Sequence, residues 1–176
     1  MSLLIADVTA GTLIFAGNTV PASFGRTGAC PAADKREGDS KTPLGTWPLL
    51  TALLRPDRGL PPPRTALPWR WLRAHDGWSD DPNDPAYNRP VCHPHAHSAE
   101  QLWRADHAYD IILTLGHNMP PVPGPVPGPV PGLGSAIFLH CTQPDSRPTE
   151  GCVAIARETL LAWLPHFTPA TSLRIE

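Results

Sequence analysis

Apolar positions along this chain come in short runs broken by proline, glycine and charge, and most runs have strand spacing. From Leu3 to Gly25 apolar and polar residues alternate through LLIADVT and TLIFAGNTVPASFG, with Ala10-Gly11 and Gly17-Asn18 supplying turn chemistry. A β-hairpin or meander is expected there. Tyr109 to Leu115 (YDIILTL) is a β-branched apolar run of the kind that forms a buried strand. Ala136-Ile137-Phe138-Leu139 is another, ending on His140, and Thr149-Glu150-Gly151-Cys152 leads into a further apolar run. Leu160, Leu161 and Leu164 recur at helical spacing before Pro165, which predicts a short amphipathic helix over 156–166. A second short helix is expected in HAHSAEQLWRAD, where Ser98 and Gln101 stand at capping-box spacing. Thr171 to Glu176 reads as one more strand. The pattern predicts a mainly β domain with a meander core, one or two short helices and long proline-rich loops.

The stretches between these runs carry their own signals. ADKREGDSKTPLGTWPL, Ala33 to Leu49, reads as an irregular, charged, solvated loop around Gly38, Pro43 and Gly45. Residues 55–108 are rich in proline, aspartate and tryptophan, and DDPNDPAYNRPV has the Asx-Pro steps of a rigid turn-rich loop. PPVPGPVPGPVPGLG repeats Val-Pro-Gly-Pro; it reads as an inserted loop or flap at about 119–134, with a proline-rich ligand for another domain as the rival reading.

Composition narrows the class. A chain of 176 residues fits one domain, here 1–176, and its 24 prolines rule out an architecture of long helices. The net charge of −2 and the lack of a basic run argue against nucleic acid as the main partner. No apolar stretch approaches the length of a membrane-spanning helix. The first residues, MSLLIADVTAGTLIF, lack a positive n-region and carry Asp7, so no secretory signal is expected in them.

Four scattered cysteines, Cys30, Cys92, Cys141 and Cys152, form no C-x-x-C pair, which argues against a structural zinc site and a disulfide framework. Cys30 and Cys92 are expected to be buried, inert thiols. His93, His95 and His97 would share one face of an extended segment. Without a second ligand cluster they read as a polar edge or a groove wall rather than a metal site. The acidic 80–91 loop lacks the calcium-loop pattern. On these grounds no metal is expected.

His140 at the end of one strand and Gly151-Cys152 at the start of the next segment is a layout that suits a thiol nucleophile and its base. A free thiol ionises near pH 8.5, so it needs a neighbour to accept its proton. Gly151 permits a sharp backbone bend, and the amides around Gly151 and Cys152 are placed to face a developing oxyanion. Acyl transfer or hydrolysis is the reaction class this arrangement suits. On spacing alone the alternative stays open that Cys152 is a core thiol and His140 a satisfied strand histidine. Cys141, next to His140, should point to the opposite strand face, leaving its carbonyl to orient His140; a Cys141–Cys152 disulfide is not expected.

These residues resemble the YkuD-type L,D-transpeptidase catalytic domain. The resemblance rests on Ile137-Phe138-Leu139-His140, on Thr149-Glu150-Gly151-Cys152-Val153, on Gly38-Asp39-Ser40-Lys41-Thr42-Pro43-Leu44-Gly45, and on the Leu115-Gly116-His117-Asn118 strand end. It covers nearly the whole chain. It implies a β-sandwich-like domain in which Cys152 attacks the carbonyl preceding a terminal D-alanine of a peptidoglycan stem peptide and His140 activates the sulfur. A second stem's amine would resolve the thioester to a 3,3 or 1,3 crosslink. Water as acceptor would make the protein an L,D-carboxypeptidase, and a non-catalytic cell-wall binding module is the remote alternative. Neither a metal nor an organic cofactor is implied, carbapenems become candidate inhibitors, and the substrate implies a periplasmic or cell-wall location. Thr149, Glu150, His117, Asn118, Arg147, Lys35 and Arg36 are the expected substrate contacts. Departures from the family pattern are Glu150 where it has histidine, Ala154 where it commonly has arginine, and a short His-to-Cys spacing. Arg147, Lys35, Arg36 and Arg157 are the candidates to replace that arginine.

Overall fold

The computed structural model describes residues 2–119, 129–143 and 145–176. The N-terminal alternation becomes an antiparallel meander of β1 (Leu3–Asp7), β2 (Thr12–Phe15) and β3 (Asn18–Ser23). Ala16 and Gly17 both have positive φ, the geometry of a two-residue hairpin turn matched to strand twist. After β4 (Ala29–Pro31) comes β5 (Thr42–Leu54), followed by β6 (Trp69–Trp71), β7 (Asp76–Ser79), β8 (Pro90–Cys92) and β9 (Ala99–Gln101). The chain continues through β10 (Ile111–Leu115), β11 (Phe138–Cys141), β12 (Val153–Ile155), α1 (Arg157–Trp163) and β13 (Ser172–Ile175).

Strand β5, at 13 residues, organises the sheet. Its first half pairs with β13, from Gly45↔Ile175 to Pro48↔Ser172, and its second half pairs with β10, from Leu49↔Leu115 to Leu54↔Ile111. Reaching both partners, it closes the order β10-β11-β12-β3-β2-β1-β13 back on itself. The result is a closed β-barrel, not the sandwich-like domain the resemblance implied. Closure leaves those strands no free edge, which a sandwich of two open sheets would keep. β5 falls in part within the segment read from sequence as a solvated loop, because Pro43 and Pro48 interrupt its pattern. Pro48 lacks the N–H of a regular ladder and sits where the strand passes from one partner to the other.

Alternation along β10 and β11 sorts their side chains into two cores. Ile111, Leu113, Leu115, Leu139 and Cys141 face the barrel interior with Leu4, Leu13 and Leu173. Leu160, Leu164 and Phe167, from α1 and the turn after it, bury against the same core. Ile112 and Phe138 face outward, into a second core with Trp78, Leu102, Tyr109 and Cys152. That outer face is covered by the small sheet β8-β7-β9, built from the tryptophan-rich 55–108 region. The candidate site lies between these two layers.

Several expectations need correction. Residues 99–101 form β9, pairing Trp78↔Glu100 and Ser79↔Ala99, so no helix starts at Ser98; the ladder to β7 outweighs local helix propensity. Cys92 is exposed, while Cys30, Cys141 and Cys152 are buried, and all four are free thiols. The charged 33–41 segment is only partly solvated, since Lys35 is buried and pairs with Asp39 at 2.5 Å. Of the proline-rich 119–134 flap, residues 120–128 lie outside the described residues. Among the described residues no helix is long and apolar enough to cross a membrane.

Candidate active site

Strands β11 and β12 run parallel, with Leu139 opposite Val153 and His140 opposite Ala154. Cys152 stands two residues before Ala154 and Phe138 two before His140, so all four side chains share one face of the sheet. That face lines a cavity of about 460 Å³ in which His140, Cys152 and Ala154 meet Tyr109, Glu100 and Arg104. The histidine and the cysteine that spacing alone left unresolved are thus brought to one wall.

Each is held tightly. His140 Nδ1 lies 2.9 Å from the carbonyl oxygen of Cys141. A carbonyl only accepts, so Nδ1 carries the hydrogen and Nε2 is the basic nitrogen. Burial pulls the imidazole pKa down to about 4, with the Cys141 and Ala108 carbonyls opposing that shift. The Tyr109 ring packs edge-on at 5.2 Å between centroids and fixes the ring plane. The Cys152 thiol donates to the Ala136 carbonyl at 3.1 Å and accepts from the Phe138 amide at 3.4 Å. Burial pushes its pKa up to about 12, and the Glu100 carboxylate adds to the rise. The resting pair is therefore neutral thiol and neutral imidazole. A preformed thiolate–imidazolium pair does not fit this environment.

The turn preceding the thiol is locked from several sides. Thr149 Oγ1 donates to the Cys152 carbonyl at 2.7 Å and accepts from the Gly151 amide at 3.1 Å. The Thr149 backbone is bonded to Phe24 and Arg26. Gly151 has φ +134°, and a Cβ there would meet the Lys41 carbonyl at 2.8 Å, so glycine is required twice over. Because Thr149 engages the Gly151 amide, that N–H is not free in this structure. Cys141 points into the barrel core, away from Cys152, and burial pushes its pKa up to about 12.

The other candidate contacts divide into two groups. Thr149, Glu150 and Arg147 line the cavity. Glu150 accepts from Ser40 Oγ at 2.6 Å and pairs with Arg26, tying the Gly38–Gly45 motif to the turn before Cys152. His117, Asn118, Lys35 and Arg36 do not line it. His117 bonds the Leu133 carbonyl at 2.9 Å, and Asn118 bonds the carbonyls of Val130 and Gly134 at 3.0 Å each. Lys35 Nζ is committed to Asp39 and the Arg36 carbonyl, and Arg36 to the Ala33 and Lys35 carbonyls. Arg157 pairs with buried Asp110, so of the candidate replacements for the family's arginine only Arg147 lines the cavity. Arg104, lying over the Tyr109 ring at 5.1 Å, is a second arginine there that the sequence did not single out.

Sequence reasoning also missed Tyr109, Glu100 and Asn88. Tyr109 donates to Glu100 at 2.5 Å, and burial raises the pKa of both. Tyr109 stands at the start of a predicted strand, but only the small sheet folding over it reveals its role. His95 bonds Asp84 at 2.6 Å and His97 bonds Asp81 at 3.2 Å, which makes these histidines part of a polar edge. Among the described residues no group of three or more His, Cys, Asp or Glu side chains is placed to hold a metal.

A closed barrel with a cysteine and a histidine on one cavity wall is the frame within which the family match falls. The chain belongs to the L,D-transpeptidase catalytic domain family, YkuD, matching it over residues 2–175. Similar solved structures include L,D-transpeptidase 1 of Mycobacterium tuberculosis, 11% identical over 99% of this chain and 58% of that one, with a TM-score of 0.43. L,D-transpeptidase 3 of the same organism, in complex with a faropenem-derived adduct, is 12% identical over 99% and 60%, with a TM-score of 0.45. The helical cell shape determining protein Pgp2 of Campylobacter jejuni is 13% identical over 100% and 47%, with a TM-score of 0.45. This chain thus spans roughly half to three-fifths of the length of those proteins. No curated protein sequence matches it.

Proposed function

We propose that this protein is a peptidoglycan L,D-transpeptidase that works through an acyl-enzyme on Cys152. The observation that carries the reading is a buried thiol sharing one cavity wall with a histidine whose Nδ1 is bound to the Cys141 carbonyl, which leaves Nε2 to take a proton. Sγ leaves the Ala136 carbonyl and attacks the stem-peptide carbonyl that precedes the terminal D-alanine, while its proton passes to His140 Nε2. The C–N bond breaks, and His140 returns that proton to the departing D-alanine amine. The amine of a second stem then attacks the thioester, passes its proton to His140, and releases Sγ, which recovers the proton. General-base help of this kind contributes about 10²–10⁴-fold. With the Gly151 amide engaged, we assign the Cys152 amide to the developing oxyanion.

Cavity charge supports an amine acceptor over water. Glu37, Asp80, Glu100 and Glu150 line it against Arg104 and Arg147, and this acidic excess attracts the ammonium group of an incoming stem. Thr149, Glu150 and Arg147 are proposed as substrate contacts on the wall they line, with Arg104 beside them. The stem substrate places the enzyme outside the cytoplasmic membrane, in the periplasm or at the wall. Intact-mass measurement after incubation with faropenem or a carbapenem tests the nucleophile. A covalent adduct on the wild type that disappears in Cys152→Ala is expected, and no adduct on the wild type overturns the reading.

A further inference from the structure

Ala136 has φ +51°, a left-handed conformation that a residue with a Cβ seldom adopts and that persists only when its surroundings enforce it. Its carbonyl is the acceptor for the Cys152 thiol, so the strained residue and the nucleophile are in direct contact. What enforces the conformation is Asn88, buried and itself at φ +53°. Asn88 Oδ1 accepts from the Ala136 amide at 3.1 Å and from Trp78 Nε1 at 2.9 Å. Asn88 Nδ2 donates to the Asn118 carbonyl at 2.8 Å and the His117 carbonyl at 3.3 Å. Every hydrogen-bonding position of the amide is filled, and its partners come from the small sheet, the end of β10 and the lead into β11.

We infer that Asn88 is a positioning residue for the nucleophile, acting through the Ala136 peptide. By holding the Ala136 amide it keeps the following carbonyl turned toward Sγ. Without that bond Ala136 relaxes toward an extended conformation and its carbonyl swings away from the thiol. A hydrogen bond to the neutral form of an acid disfavours ionisation, so removing the acceptor makes the thiol easier to ionise. Glu100, Arg104 and Lys35 act on the charge of the thiol and the Tyr109 phenol interacts with it, while His140, Glu37, Asp80, Arg147 and Glu150 share its cavity; Asn88 bonds to the side chain of none of them. The inference rests on Cys152 being the nucleophile of the proposed reaction. Its test needs no cell-wall substrate, so the two ideas fail separately.

The test is the pH–rate profile for alkylation of Cys152 by iodoacetamide, followed by mass spectrometry of the Cys152 peptide. Asn88→Ala is expected to move the profile down by about one pH unit, which is about a tenfold faster reaction at fixed pH below the midpoint. Trp78→Phe removes the other donor to Oδ1 but leaves the Ala136 bond, and its profile is expected to stay in place. Asn88→Asp keeps the acceptor and adds a negative charge, so its profile stays in place or moves up; it also supplies the reading if Asn88→Ala does not fold. An unmoved profile in folded Asn88→Ala, an equal shift in Trp78→Phe, or a one-unit fall in Asn88→Asp each overturns the inference.

Discussion

Burial sets the charge state of His140 and Cys152, since a histidine pulled down to about 4 and a thiol pushed up to about 12 leave neither charged at neutral pH. Under the proposed mechanism the thiol reacts once a substrate carbonyl is in place and His140 takes its proton. Iodoacetamide at pH 7 is expected to label exposed Cys92 well before Cys152, which peptide mapping of a time course checks. His140→Gln keeps much of the volume but removes the base, and acylation by faropenem should slow about 10²–10⁴-fold in stopped-flow or mass-based kinetics. At this scale the sequence was informative where chemistry is local. That His140 and Cys141 point to opposite strand faces could be read from alternation, but spacing alone left open whether Cys152 is more than a core thiol. The roles of Asn88, Tyr109 and Ala136 could not be read, because they arise from contacts between segments distant in sequence.

Among the elements, the turn before Cys152 and the Gly38–Gly45 motif behave as one unit. Gly151 packs on the Lys41 carbonyl, Gly25 would place a Cβ 2.3 Å from the Ser40 carbonyl, and Glu150 bonds Ser40. Gly151→Ala should therefore destabilise the domain by about 2–3 kcal/mol, from the unfavourable φ and the clash together, measured as a lower urea midpoint. Asp39 holds Lys35 Nζ and also accepts from the Arg36 and Lys41 amides. Asp39→Ala strands a buried ammonium and should cost about 3–5 kcal/mol by the same measurement. The apolar runs of β1, β2, β10, β11 and α1 were legible because each follows a single period. β5 was hidden by its prolines, and β9 by a capping-box spacing that its ladder to β7 overrides.

For the whole molecule, barrel closure was invisible in the sequence because it depends on one strand serving two partners. The Trp/Pro/Asp-rich region was likewise unreadable as a layer until its small sheet was seen covering the outer face of β10 and β11. That layer buries His140 and Cys152, and burial makes stability depend on pH. The folded pKa of His140 lies below its ordinary 6.5, so its contribution is complete above pH 6.5 and is lost as the pH falls toward 4, on the order of 3 kcal/mol. For Asp39, burial is outweighed by Lys35 and two backbone amides, and its depressed pKa removes further stability at still lower pH. Cys152 and Cys141 act in the opposite sense. Their raised pKa values give stability that is complete below pH 9 and is lost between pH 9 and about 12. Denaturant melts across pH should show a plateau between about pH 6.5 and 9 with a fall on both sides.

The most direct test of the central claim is chromatography of purified stem tetrapeptides incubated with the wild-type protein, Cys152→Ala and His140→Gln. Acyl transfer through Cys152 predicts release of D-alanine together with a crosslinked dimer whose linkage reads as 3,3 or 1,3. Cys152→Ala should give neither product, and His140→Gln should give both much more slowly. D-alanine release without dimer would assign the site to hydrolysis, and a Cys152→Ala protein that still forms dimer would contradict the account.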